Sequence, residues 1–208
     1  FIAEALKGGE SAIVTVSSTS PDELRTKFRN FGIDLEKYEG EKKIIIIDWY
    51  SYRNERILGI EERGVVYRCS KGLTNLEIAL TKAMRVSMTK GQRTCAVIDV
   101  LSPAITALKF DPAYKFAQAL RAKFRKYTIT AMFLLDRGTH EKEQVASLHQ
   151  VFDGVIDVER ERVGTKMERR VGVLAMEGTY FESEYFPLGL SKEKGIYVIG
   201  TEKMEAPK

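Results

Sequence analysis

The sequence predicts an α/β fold: a mainly parallel central sheet with helices on both faces, followed by a C-terminal antiparallel β-meander. Three observations carry this. Strand-like and helix-like segments alternate as far as about Gln150, as they do when parallel strands are joined by crossover helices. Residues 11–16 and 43–49 are β-branched and apolar almost throughout instead of alternating, the pattern of strands covered on both faces. From Gly154 the alternation gives way to consecutive strands with short turns.

In order, the apolar residues Phe1, Ile2, Ala5 and Leu6 before Gly8-Gly9 read as the end of a helix stopped by glycine. The first strand follows over 11–16. Ser20, Pro21 and Glu23 supply an N-cap, a proline at the first helical position and the acid of a capping box, so a helix runs over 21–30 and Gly32 closes it. The four isoleucines of 44–47 place the second strand, 43–49, in the centre of the sheet. Pieces at 57–60 and 65–67 flank Glu61-Glu62-Arg63-Gly64 and predict a β-hairpin decorating the main sheet, an insertion over 50–70. Thr74 with Glu77 predicts a second capping box, opening a helix from Asn75 to about Lys90 whose face carries Leu76, Ile78, Leu80, Ala83 and Met84. A third strand is expected over 94–100, a helix over 113–125, a fourth strand over 128–135 and a short helix over 141–150. The meander then takes strands over 154–160 and 169–176, with 161–168 as their turn, and a last strand over 195–199. One domain over 1–201 with a loose tail over 202–208 accounts for the chain.

Composition excludes several classes. With 44% hydrophobic and 30% charged residues the chain reads as globular, and no apolar run approaches the ~20 residues of a membrane helix. No secretory signal pattern is present, so a cytoplasmic protein without membrane contact is expected; the chain opens on Phe1, and residues upstream of it are expected too. Cys69 and Cys95 stand too far apart in sequence to read as a disulfide scaffold or a zinc motif. His140 and His149, nine residues apart, would fall on opposite faces of a helix and make no metal site. A net charge of +4 gives no field that would draw nucleic acid, while the abundance of Lys and Glu fits a thermophile's surface.

Several motifs stand in a telling order. Residues 1–9 lead into the strand 11–16; then come Phe31-Gly32-Ile33-Asp34-Leu35-Glu36-Lys37-Tyr38, Cys95-Ala96-Val97-Ile98-Asp99 before Leu101-Ser102, Phe152-Asp153-Gly154-Val155-Ile156-Asp157, the run 176–179, Tyr185-Phe186-Pro187 and Gly195-Ile196. This ordered set resembles the archaeal KaiC-type branch of the RecA superfamily of P-loop ATPases, over nearly the whole chain except 49–70. The resemblance implies a RecA-like three-layer sandwich, ATP and Mg²⁺ as ligands, and association into a homo-oligomer or with a KaiC-type paralogue.

Hydrolysis in such a protein needs a backbone cradle with a lysine for the phosphates, an acid to organise Mg²⁺, a carboxylate to orient water, and a cation on the γ-phosphate. The cradle motif, Gly-x-x-x-x-Gly-Lys-Ser/Thr, does not occur in these 208 residues. By resemblance Asp99 is the Walker B carboxylate that holds the magnesium's water shell, set against an aspartate that only caps a loop after a strand. Where the family carries paired glutamates beyond the first strand, this chain has Ser17, Ser18, Thr19 and Ser20, and a hydroxyl neither holds negative charge nor takes a proton from water near neutral pH. Where the family has Lys-x-Arg-Gly-Thr, whose arginine reaches the neighbouring subunit's phosphates, this chain has Ala175, Met176, Glu177, Gly178 and Thr179. An arginine finger contributes a factor of ~10³ to 10⁵ in rate, and Glu177 reverses its charge. Arg169 and Arg170 lie on the strand before it, but alternation sends them to opposite faces and neither takes the finger's place. Asp136-Arg137-Gly138-Thr139-His140 follows the fourth strand, where relatives keep a polar γ-phosphate sensor. Asp99, Asp136 and Thr179 are therefore the expected nucleotide-binding residues, with Asp99 the metal ligand.

Trp49, Tyr50, Tyr52 and Arg53 crowd a strand end, as the buried edge of the core or as a partner contact. Arg121, Lys123, Arg125 and Lys126 complement the dipole of a helix end or form a patch for a phosphate backbone. The reading that follows is a catalytically inactive, regulatory or scaffolding KaiC-like domain with at most residual ATP binding. Two alternatives stand beside it: a hydrolysing KaiC-type ATPase whose phosphate loop lies upstream of Phe1, and a RecA-type DNA-binding accessory protein.

Overall fold

Residues 1–89, 91–191 and 195–199 are described by the computed structural model. The expected tail over 202–208 and Lys90, the expected end of the helix from Asn75, lie outside them. The chain divides into two compact units, Phe1–Gln144 and Val145–Lys208.

The first unit is built on β1 (Ser11–Val16) and β2 (Ile44–Asp48), in which every residue is buried. They pair in parallel, Ala12 opposite Ile44 through Val16 opposite Asp48. Adding β3 (Ile60–Arg63), β4 (Val66–Cys69), β5 (Thr94–Ile98) and β6 (Thr130–Phe133) gives a six-stranded sheet of order β3-β4-β2-β1-β5-β6. Only β3 runs antiparallel to its neighbour. Alternation splits the buried side chains between the two faces. On one, α1 (Ile2–Lys7) and α3 (Leu35–Gly40) cover Ala12, Val14, Val16, Ile44 and Ile46, with Leu24 and Phe28 of α2 (Pro21–Asn30) packed beside them. On the other lie α4 (Leu73–Met88) and α6 (Phe110–Lys126), the latter preceded by α5 (Leu101–Leu108). Both cysteines are buried free thiols, and burial pushes Cys69 up to about 12 and Cys95 up to about 11.

Local chemistry sets the boundaries. The capping box of α2 is present in full: the Ser20 hydroxyl accepts from Glu23 N and the Glu23 carboxylate accepts from Ser20 N. The one predicted at Thr74 is not formed. α4 begins two residues earlier, on Gly72 with no side-chain cap, because the buried stripe Leu76, Ala79, Leu80, Ala83, Met84 and Ser87 fixes its phase. That phase leaves Ile78 52% exposed, off the face expected for it. α3 and α5 were not foreseen from the sequence. α3 is capped by Asp34, whose carboxylate accepts from Glu36 N and Lys37 N; α5 has no side-chain cap and so no start signal. The hairpin exists, its first strand shifted by three residues: Glu61, Glu62 and Arg63 belong to β3, and Gly64, at φ 64°, makes the turn. Pairing of Glu61 with Arg68 across the strands holds charged residues on an edge strand, while β4 joins β2 in parallel as an integral strand.

The second unit holds β7 (Gly154–Val163), β8 (Lys166–Met176), β9 (Phe186–Ser191) and β10 (Gly195–Val198) in an antiparallel sheet of order β10-β9-β8-β7. β7 and β8 run longer than expected, closing on a turn at Gly164-Thr165. Of the stretch 161–168, expected as a turn, only Gly164 and Thr165 form one, and the rest is strand. Gly189 leaves room for the Tyr197 ring, which a Cβ there, 2.4 Å from it, would displace. α7 (Lys142–His149) spans the cut between the units.

Candidate functional site

The carboxyl ends of β1, β5 and β6 lie at one edge of the parallel sheet. From β1 the chain moves outward to β2 and β4, then returns to β5 on the other side of β1 and continues to β6. The strand order therefore reverses between β1 and β5, and in open α/β sheets ligands bind in the crevice that this reversal opens. The residues at its mouth are Ser17 and Ser18 from β1 and Asp99 from β5.

Side-chain hydrogen bonds set its geometry. Asp99 N donates to Thr15 Oγ1 at 2.7 Å, and the buried Ser17 hydroxyl donates to the Asp99 carbonyl, so the ends of β1 and β5 are tied together by side chains. Ser17 is spent on the backbone and turned away from solvent. Beyond β6, Asp136 N donates to Ser102 Oγ at 2.7 Å, and His140 Nε2 lies 2.9 Å from the same oxygen. Ser102, in the first turn of α5, thus pins the loop 136–140 against the site, while Thr139 Oγ1 donates to the Asp136 carbonyl and Gly138, at φ 77°, makes the bend.

The electrostatics centre on Asp99. Burial raises its pKa and the neighbouring Asp136 charge raises it further; Lys27 and a hydrogen bond from Ser18 oppose the rise. Lys27 is an exposed cation on α2, its Nζ 3.4 Å from Thr19 Oγ1. The buried Thr19 hydroxyl donates to Glu23 Oε2 at 2.7 Å, so it serves the start of α2. Mg²⁺ held with a nucleotide needs one or two carboxylates with water and phosphate oxygens, and a partly buried aspartate disfavoured as an anion beside a second carboxylate suits it. No group of three or more His, Cys, Asp or Glu suited to a metal occurs among the described residues.

The structure brings Ser17, Ser18, Asp99 and Asp136 of the predicted set to this edge. Lys27 and Ser102 were missed as site residues; Ser102 stood in a quoted motif, and Lys27 carried no signal beyond one more charge on a solvated helix. Glu177 and Thr179 are exposed in the second unit, after β8, where Glu177 N donates to the Asp153 carbonyl at 2.7 Å. In the aromatic run, Trp49 is fully buried and its Nε1 donates to Lys71 O at 3.0 Å, so it belongs to the core and not to a contact surface. Tyr50 and Tyr52 are half-buried and Arg53 is exposed, its guanidinium 5.6 Å from the Tyr50 ring centre. Beneath them Asp48 accepts from Tyr50 N and Ser51 N, both at 2.9 Å, and faces the buried Arg68 at 3.6 Å. Arg68 also meets Glu55 at 2.6 Å and Glu61 at 3.3 Å, fastening the 50–70 segment to the sheet.

A family profile described as ATPase: KaiC matches residues 1–203. The chain belongs to the KaiC family. The circadian clock protein KaiC3 of Synechocystis sp. is 25% identical over 207 residues, 99% of this chain; the chain spans 39% of that protein's length. A KaiC-like protein of the hyperthermophilic archaeon Pyrococcus horikoshii, solved as a crystal structure, is 19% identical and superposes with a TM-score of 0.72 over 96% of this chain and 81% of its own. The KaiC-like chain described here therefore has the RecA-type fold, and its second unit carries a four-stranded antiparallel sheet. No helix among the described residues is long and apolar enough to cross a membrane.

Proposed function

We propose that this KaiC-like domain is a pseudo-ATPase: a cytoplasmic regulatory or scaffolding protein that holds ATP and Mg²⁺ at most weakly and works by association with its own copies or a KaiC-type paralogue. The observation that carries this reading is the pair Ser17 and Ser18 at the mouth of the β1/β5 crevice. Ser17 is buried and donates to the Asp99 backbone, and Ser18 offers a neutral hydroxyl to the Asp99 carboxyl. Neither serine is an acid that could orient water, and a hydroxyl does not replace one near neutral pH. Glu177 adds a negative charge where the family's arginine would meet phosphate. Asp99, Asp136 and Thr179 are the groups proposed to face nucleotide, Asp99 through the metal's water shell and Thr179, in the segment that in the family reaches the neighbouring subunit, through its hydroxyl. Bound Mg²⁺ would offset phosphate charge. Tyr50, Tyr52 and Arg53 are proposed to meet a partner.

Calorimetry with ATP and Mg²⁺ on the native-length protein, beside a phosphate-release assay, tests this. We expect binding that weakens in Asp99→Ala and no magnesium-dependent phosphate release. Steady magnesium-dependent turnover by the wild-type protein would sink the reading and favour the hydrolysing alternative.

A further inference from the structure

The two faces of the C-terminal sheet differ in how completely their side chains are satisfied. On one face, the Tyr185 hydroxyl donates to Asp157 Oδ2 at 2.7 Å, Arg170 pairs with Glu161 at 3.1 Å, and the Tyr197 ring lies on Gly189. On the other, Ile156, Val158 and Ile196 are 49%, 51% and 72% exposed, and Arg160 stands directly opposite Arg169 in the β7–β8 register. Like charges opposed on one sheet face repel. Neither Arg160 nor Arg169 has an ion pair among the described residues, and exposed Arg162 lies on the same face. An apolar sheet face that ends in an arginine cluster lacks both a cover and counter-charges.

The same unit carries the complement. The loop between β8 and β9 presents Glu182 and Glu184 beside Tyr180, which is 85% exposed and donates to Glu182 at 3.3 Å. The loop leaves β8 at the end opposite the hairpin turn, and the eight residues from Arg169 to Met176 span roughly 20–25 Å of strand. No ion pair joins the two surfaces within one chain among the described residues.

We propose that a second copy of this chain covers the arginine-bearing face of β7 and β8 with its 180–184 loop, the carboxylates of Glu182 and Glu184 meeting Arg160 and Arg169 and Tyr180 lying on Ile156 and Val158. Because the two surfaces differ, the contact is head-to-tail and repeats from copy to copy, closing into a ring if its rotation allows. The inference names a surface for the association proposed above and rests on that reading. It needs no nucleotide.

Sedimentation velocity on the chain, without nucleotide, over a range of concentrations and salt tests it. Wild-type chains should associate, less so at high salt because exposed charges are screened. Two charge reversals, Arg160→Glu with Arg169→Glu and Glu182→Arg with Glu184→Arg, should each weaken self-association by about tenfold or more, since each sets like charges against like. Mixed together, the two variants should associate again, because the reversed hairpin of one meets the reversed loop of the other; rescue by mixing also shows that both remain folded. A wild-type chain that stays monomeric defeats both the association and the surface. Association that neither variant weakens, or that mixing fails to restore, defeats the surface alone.

Discussion

The two sheets use similar residues to different ends. In β1 and β2 the run of isoleucine, valine and alanine is sealed between α1 and α3 on one side and α4 and α6 on the other, and no residue of either strand is exposed. In β7 and β8 valine, isoleucine and leucine recur, yet of the fully described strand β8 only Gly172 is buried. Parallel strands are covered because their crossover helices land on the faces; an antiparallel meander returns through short turns and brings no cover of its own. β6 lies between these cases. It is parallel but sits at the sheet edge, and Met132 stays exposed. Burial in this chain follows connection type more closely than composition.

A pair of truncations tests that contrast. Ile46→Ala should cost about 2–5 kcal/mol in urea unfolding, as a large-to-small change in a closed core does. Val158→Ala removes a comparable side chain from the open face and should cost at most about 1 kcal/mol. A Val158 variant as damaging as the Ile46 variant, at concentrations where chains associate, would mean that the second sheet is covered in solution after all. The same loss in dilute monomer would break the comparison.

What could be read from the sequence follows the same line. β1 and α2 were legible to the residue because a continuous apolar run and a complete Ser20-Pro21-Glu23 signal leave little freedom. α5 was not, since its first turn has neither cap nor charge, and tertiary packing alone starts it. The Thr74 box misled because a side-chain pattern describes a possible helix start, while the buried stripe from Leu76 onward decides the actual one. Of the site, Asp99 and the serines were visible as motif positions, whereas Ser102 holding Asp136 N and His140 joins residues 34 and 38 apart in sequence and shows only in space. Ser20→Ala should cost about 1 kcal/mol and Thr74→Ala no more than about 0.5 kcal/mol in the same assay. Equal costs would contradict the difference between the two helix starts.

The smallest expected effect is also the one closest to function. Burial, with the Asp136 charge behind it, raises the Asp99 pKa above its ordinary 3.8. A carboxyl whose folded pKa exceeds its unfolded one binds its proton more readily in the native state, so stability from this group falls as pH rises from 3.8 through the raised value. Above that window the charge works against the fold. Asp99→Asn keeps the shape without the charge and should unfold at a slightly higher temperature than the parent at pH 7, the gap closing as pH drops below the ordinary carboxylate range. A gap of constant size at every pH would deny that the charge is its source. Since Mg²⁺ with ATP can favour only a native state that binds it, adding both should stabilise the parent more than the asparagine variant and narrow the gap at pH 7. This response links the half-buried aspartate at the end of β5 to a ligand, a link that none of the substitutions in the second sheet should change.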